Sequence, residues 1–114
     1  MSLKIKKIEA ELTRTVSEIV SQKARDEILH SLTITGSEVA HDLSFAKIFF
    51  TSFIDLSKDK LEAELEEASG FIRSEVAKRM DLRNTPKLKF VYDDSVEYGN
   101  KIERILSEIK REEE

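Results

Sequence analysis

The segment EASGFIRSEVAKRMDLRNTPKLKFVYDDS (Glu67–Ser95) constrains the fold more than any other part of the 114-residue chain. The small residues Ala68-Ser69-Gly70 predict a helix break, because glycine costs about 1 kcal/mol relative to alanine inside a helix. A second helix is expected after this break. It should end in a turn before Pro86, because the residue preceding a proline avoids the α region. A short strand follows, and the series helix, kink, helix, strand is typical of one class of nucleic-acid-binding module.

The spacing of apolar residues predicts the other elements. Steps of three and four from Ile5 to Val20 indicate a first amphipathic helix. Alternation in FAKIFFTSF indicates a strand with Ala46, Ile48 and Phe50 on one face. Ser57 is the predicted N-cap of the next helix. The predicted elements are helix 4–24, strands 32–39 and 45–53, helices 58–68 and 71–82, strand 88–92 and a last helix that begins near residue 94.

This order, α-β-β-α-α-β-α, predicts the α+β fold class, with a three-stranded sheet that helices cover on one face. The first six elements have the order of a type II KH-like domain, and the seventh is an additional C-terminal helix. With 39% hydrophobic residues, the chain fits a single domain over residues 1–114 with a modest core. Its apolar runs are too short to predict a membrane span.

Basic residues are concentrated in two segments, although the net charge of −4 argues mildly against nucleic acid. Residues 71–90 contain six basic and two acidic residues, and residues 1–25 contain six and three. One face could therefore meet a highly negative partner. A solvated helix surface with snorkelling side chains accounts for the same pattern equally well. The candidate phosphate contacts are Lys4, Lys6, Lys7, Arg14, Arg73, Lys78, Arg79, Arg83, Lys87 and Lys89.

Two further features allow alternative interpretations. A KH domain joins its central helices through a GXXG loop that clamps the nucleic-acid backbone, and this chain contains no GXXG. Ala68, Ser69 and Gly70 are therefore either a plain helix break or a modified contact to RNA. Aromatic residues on the predicted strands would stack on RNA bases if they were exposed. Alternatively they form a core on one face, while Phe49 and Phe53 are covered by the terminal helices or by a partner.

No catalytic constellation is evident in the sequence. The chain has no cysteine, and neither His30 nor His41 has further ligands at a spacing that suits a metal. A nucleophile elbow, a Walker A motif and a dinucleotide fingerprint are also absent. We therefore expect a protein that is not an enzyme and has neither a metal site nor a cofactor.

Several motifs together resemble the ribosome-binding factor A family. The first is VAHDLSFAKIFFT (Val39–Thr51), which is similar to the DLSxAKVYV-like strand entry of that family. The second is Ala68-Ser69-Gly70, which corresponds to the AxG that replaces the GXXG loop. The FIR and LRxxP elements of the family correspond to Phe71, Ile72, Arg73, Leu82, Arg83 and Pro86. Each motif is weak alone, but they occur in order over most of residues 5–109.

The resemblance implies a KH-like fold that binds the small (30S) ribosomal subunit or its precursor, contacts 16S rRNA and supports late maturation of that rRNA, notably in the cold. It implies neither catalysis nor a cofactor. We expect a monomeric, cytoplasmic protein without membrane contact, and a ribosome-maturation GTPase is a further candidate partner. The alternative is a protein–protein adaptor, in which the aromatic strand and the acidic helices bind another assembly factor or a ribosomal protein.

Overall fold

The computed structural model describes residues 3–23 and 25–95. Its elements are helix α1 (Leu3–Ser21), a short helix α2 (Glu27–His30), strands β1 (Leu32–Val39) and β2 (Phe45–Ser52), helix α3 (Lys58–Arg79) and strand β3 (Lys87–Tyr92). The predicted first helix and the three predicted strands are confirmed. Helix α2 was not predicted from the sequence. The predicted last helix lies outside the described residues.

The three strands form one sheet in the order β1-β2-β3. Strand β2 is central, antiparallel to β1 and parallel to β3. The parallel pair needs a crossover connection, which α3 supplies. A shift of register between Ile34 and Gly36 marks a bulge in β1. The α+β class with a three-stranded sheet is therefore confirmed, whereas the type II KH-like assignment stays a prediction.

Both long helices pack on the same face of the sheet. Ala46, Ile48 and Phe50 of β2 are fully buried beneath them, as the alternation predicted. The buried partners of this face are Ile8, Leu12, Val16, Ile19 and Val20 from α1, Leu61, Leu65, Ile72 and Val76 from α3, and Leu88 and Phe90 from β3. Because side chains alternate along a strand, the intervening residues of β2 and β3 lie on the opposite, open face.

The predicted break at Ala68-Ser69-Gly70 is wrong, because α3 is continuous from Lys58 to Arg79. The core-facing residues of α3 recur at steps of three and four on both sides of Gly70, at Leu65, Ala68, Ile72 and Val76. Each such aliphatic side chain contributes about 1.5–3 kcal/mol when it is buried, which outweighs the cost of one glycine of about 1 kcal/mol. The helix ends before the predicted residue 82, and Ser57 caps its start as predicted by accepting a hydrogen bond from the Lys60 amide.

Two glutamates attach the helices to the edge strands of the sheet. Glu9 of α1 accepts a hydrogen bond of 2.8 Å from the Val39 amide of β1. Glu62 of α3 accepts one of 3.0 Å from the Tyr92 amide of β3. Both amides lie on the outer side of an edge strand and face away from β2, because the next amides along, those of Ala40 and Asp93, are the ones that donate to β2 carbonyls. The carboxylates therefore satisfy backbone donors and fix the positions of the helices along the sheet.

Replacing Gly70 with alanine should stabilise the protein by about 0.5–1 kcal/mol, because alanine is the better helix former in a helix interior. An added Cβ meets no atom within 4 Å, and Gly70 does not have a positive φ. Urea denaturation of Gly70→Ala measures this gain. The exposed Ala63→Gly substitution in the same helix is the matched control and should lose a similar amount. A loss of stability in Gly70→Ala would contradict a continuous α3.

Candidate nucleic-acid interface

A hollow of about 490 Å³ brings the start of α1 beside the loop between α3 and β3. Lys4 and Arg83, which are far apart in the sequence, both line it. Its apolar wall is formed by Ile5, Ile8 and Leu43. The fold thus places a basic residue from each of the two basic segments at the same cavity.

A second hollow of about 450 Å³ lies between the middle of α3 and the same loop. Gly70, Arg73 and Arg83 line it together with Thr85. Arg83 and Asn84 belong to both hollows, so the two cavities adjoin. We call the exposed sides of α1 and α3, together with loop 81–86, the helix-side surface.

Arg73 holds this loop in place. Its Nε and Nη2 both donate to the Thr85 carbonyl oxygen, at 3.2 and 2.8 Å. The planar guanidinium provides two donors to one acceptor from a fixed geometry, which a lysine cannot do. Arg73 therefore helps to hold the loop that carries Arg83, and it also adds its own positive charge to this surface.

Glu75 partly neutralises the basic end of α3. Its carboxylate lies 3.6 Å from the Nζ of Lys78 and 3.6 Å from Nη2 of Arg79. Arg79 also donates to the side-chain oxygen of Gln22 at 2.8 Å, which links α3 to the residues after α1. Exposed pairs of this kind contribute little to stability, about 0–1 kcal/mol, and are screened by salt. Arg83 has no hydrogen-bond or ion-pair partner within residues 3–23 and 25–95.

The turn between β1 and β2 closes one side of the first hollow. The Ser44 hydroxyl and amide donate to Asp42, at 2.7 and 3.0 Å, and they lower the pKa of that carboxyl. Asp42 is thus a carboxylate at neutral pH, and it lines the same hollow as Lys4 and Arg83. Leu43 adopts a φ of 60°, which is uncommon for a residue other than glycine. Its side chain packs against the core, which offsets that strain.

The other predicted contacts lie at several places on the helices. Lys7 and Arg14 share the outer side of α1, and Lys6 is exposed on the same helix. Ala68 is half-buried and packs against the core. Ser69 donates to the Glu66 carbonyl at 2.7 Å, which satisfies its hydroxyl within the helix.

Lys87 and Lys89 do not share a face with the rest of the predicted set. They alternate with the buried Leu88 and Phe90, so they lie on the open face of the sheet. Lys47 of β2 lies directly beside Lys89 in the parallel register and was not among the predicted contacts. Only the strand register reveals this neighbour, since Lys47 is the single basic residue of the acidic segment 26–53. We call the open face of β2 and β3 the sheet-side surface. It comprises Phe45, Lys47, Phe49 and Thr51 of β2 and Lys87, Lys89 and Val91 of β3.

No three His, Cys, Asp or Glu side chains within residues 3–23 and 25–95 are grouped so that they could hold a metal ion. Among the same residues, no helix combines the length and apolar character needed to cross a membrane.

The fold and these surfaces define a small α+β protein with basic residues on both sides of its sheet. A family model described as "Ribosome-binding factor A" matches residues 4–106. Proteins named ribosome-binding factor A from Macrococcus caseolyticus and Pediococcus pentosaceus are 43% and 39% identical to the chain. These alignments cover 98% and 93% of this chain, and 99% and 93% of the relatives. The chain therefore belongs to the ribosome-binding factor A family.

Solved structures agree with this fold. The crystal structure of ribosome-binding factor A from Thermus thermophilus superposes with a TM-score of 0.69 at 24% identity, covering 77% of this chain and 94% of that one. A second Thermus thermophilus structure has a TM-score of 0.62 at 23% identity and covers 75% and 91%. It is a homology model of RbfA fitted into a cryo-EM map of a 30S–RbfA complex.

Replacing Arg73 with lysine should loosen the loop between α3 and β3, because the double hydrogen bond to Thr85 is lost. Losing about 1 kcal/mol of local stability corresponds to roughly fivefold faster exchange of a protected amide. The Lys87 amide, which donates to the Ser44 carbonyl at 3.1 Å, reports on this loop. Lys78→Arg is the matched control, because Lys78 does not contact the loop. Equal exchange rates in both variants would mean that Arg73 does not hold it.

Proposed function

We propose that this protein is an assembly factor that binds the small ribosomal subunit or its precursor through 16S rRNA. It supports late maturation of that rRNA, notably in the cold. Membership of the ribosome-binding factor A family supports this proposal. The related Thermus protein described in a 30S–RbfA complex supports the choice of the 30S subunit. A single domain over residues 1–114, a cytoplasmic location and a monomeric state belong to the same proposal.

One geometric observation carries the mechanism: Lys4, Arg73 and Arg83 converge around two adjoining hollows on the helix-side surface. These side chains come from α1, α3 and the following loop, so only the folded chain assembles them. Cations at several points of a concave surface suit the phosphates of a folded rRNA better than a single charged stripe does. Binding is then mainly electrostatic, and the shape of the surface selects the rRNA fold.

The proposed RNA contacts of the whole chain are Lys4, Lys6, Lys7, Arg14, Ala68, Ser69, Gly70, Arg73, Lys78, Arg79, Arg83, Lys87 and Lys89. Among them, Arg73 acts mainly by positioning the loop. Gly70, which lines the second hollow, allows close approach to α3, and Ala68, Ser69 and Gly70 contribute no charge. No step of this mechanism needs a catalytic group or a cofactor, and a ribosome-maturation GTPase is a candidate for releasing the factor.

Co-sedimentation with purified small subunits across a salt series tests this function. We expect binding that weakens steeply between low and moderate salt, with the logarithm of the binding constant falling by about 0.9 per phosphate contact for each unit of log salt. Arg83→Gln should reduce this slope by about 0.9 and weaken binding at every salt concentration. Lys60→Gln, an exposed lysine near the acidic start of α3, is the matched control and should bind as the unchanged protein does.

Two outcomes would contradict the proposal. Absence of binding to small subunits at low salt would exclude the assembly-factor function. Binding that is insensitive to salt and to Arg83→Gln would instead indicate an apolar protein interface, as the adaptor alternative requires.

A further inference from the structure

The sheet-side surface has three lysines, and among the described residues only Lys47 has a carboxylate, that of Glu38, directly across a strand pair. Lys47 and Lys89 are direct neighbours across the parallel pair, and Lys87 precedes Lys89 by two residues on the same face. Like charges directly opposite each other destabilise a sheet. Lysines on an edge strand protect it against pairing with other chains, which accounts for Lys87 and Lys89 on β3. Lys47 lies on the central strand, where no edge needs protection.

Aromatic side chains alternate with Lys47 along β2. Phe45 lies beside Lys87 in the register and is 49% exposed, although a phenylalanine on a strand is usually buried. Phe49 lies on the same face, between Gly36 and Val91. A Cβ added at Gly36 would meet no atom within 4 Å, so the space beside Gly36 is open, and Phe49 itself is half-buried. The order aromatic, cation, aromatic on one strand is typical of surfaces that bind single-stranded nucleic acid.

A hollow of about 180 Å³ adjoins Phe45 and Lys47. Glu38 also lines it and faces Lys47 across the antiparallel pair. The cavity therefore combines an aromatic wall, a cation and a carboxylate acceptor. Such a set can receive one unstacked base, with its face on the ring and its amino edge toward the carboxylate.

From these observations we infer that the sheet-side surface binds single-stranded RNA, with one base stacked on Phe45 and backbone phosphates at Lys47, Lys87 and Lys89. This inference rests on the proposed function, because it assigns a second RNA contact to the same protein. The sheet-side surface differs from the helix-side surface in its proposed ligand, because stacking on Phe45 needs a base that is free of a duplex. Among the described residues, three lysines of this surface meet the carboxylates of Glu38 and Asp93, and Asp93 already accepts hydrogen bonds from Thr35 and Ser95. The excess of positive charge favours a nucleic acid over a protein partner for this surface.

The test measures binding of the full chain to a fluorescein-labelled oligouridine of about ten nucleotides by fluorescence anisotropy. Phe45→Leu keeps an apolar side chain and removes the stacking ring, so affinity should fall roughly tenfold, whereas Phe45→Tyr should retain it. Lys47→Gln should reduce the slope of log affinity against log salt by about 0.7, the value for one contact on a single strand. Lys60→Gln is again the charge-matched control.

A duplex RNA of the same length separates this inference from the proposed function. Phe45→Leu should leave duplex and helix-side binding unchanged, whereas Arg83→Gln should weaken both duplex and subunit binding. Unchanged affinity of Phe45→Leu and Lys47→Gln for oligouridine overturns the inference, and the proposed function then still stands if Arg83→Gln weakens subunit binding. If these sheet variants weaken only a salt-insensitive association with the subunit, the sheet-side surface binds a ribosomal protein and the inference is wrong.

Discussion

Strand β2 is the constraint on which the rest of the structure depends. It is paired on both sides, with Phe50 opposite Ile34 in β1 and beside Tyr92 in β3. The rings of Phe50 and Tyr92 meet edge to face, with centroids 5.6 Å apart. A slip of one residue would bury Lys47 and expose Ile48, at the cost of an unpaired buried charge. Burial of one face beneath the helices therefore also fixes which residues the open face presents.

Elements with long periodic patterns could be predicted from the sequence, and local exceptions could not. The apolar stripe of α1 and the alternation in β2 specify those elements almost without tertiary information. Gly70 misled the prediction because local propensity is a weak signal, and the buried stripe of α3 continues through it. Helix α2 was missed because four residues are too short to show a period, although Asp26 caps it by accepting a hydrogen bond from the Leu29 amide.

For the candidate site, too, the sequence predicted the basic segment but not the contacts that the folded chain forms. Counting charges identified segment 71–90 correctly as basic, but it could not separate residues that face opposite sides of the sheet. It also could not show that Arg73 bonds to a carbonyl or that Glu75 lies near both Lys78 and Arg79. The pairing of Lys47 with Lys89 depends on register between distant segments, which a single sequence does not display.

The two basic surfaces would require different states of one RNA. The helix-side surface suits phosphates held in a folded shape, because its cations are fixed around concave hollows. Stacking on Phe45 needs a base that has not yet paired, and forming a duplex would remove that base from reach. A protein that uses both surfaces therefore binds best where folded rRNA adjoins an unpaired strand. Completion of base pairing would remove one contact and leave the other, so affinity would fall as the rRNA matures, without any change in the protein.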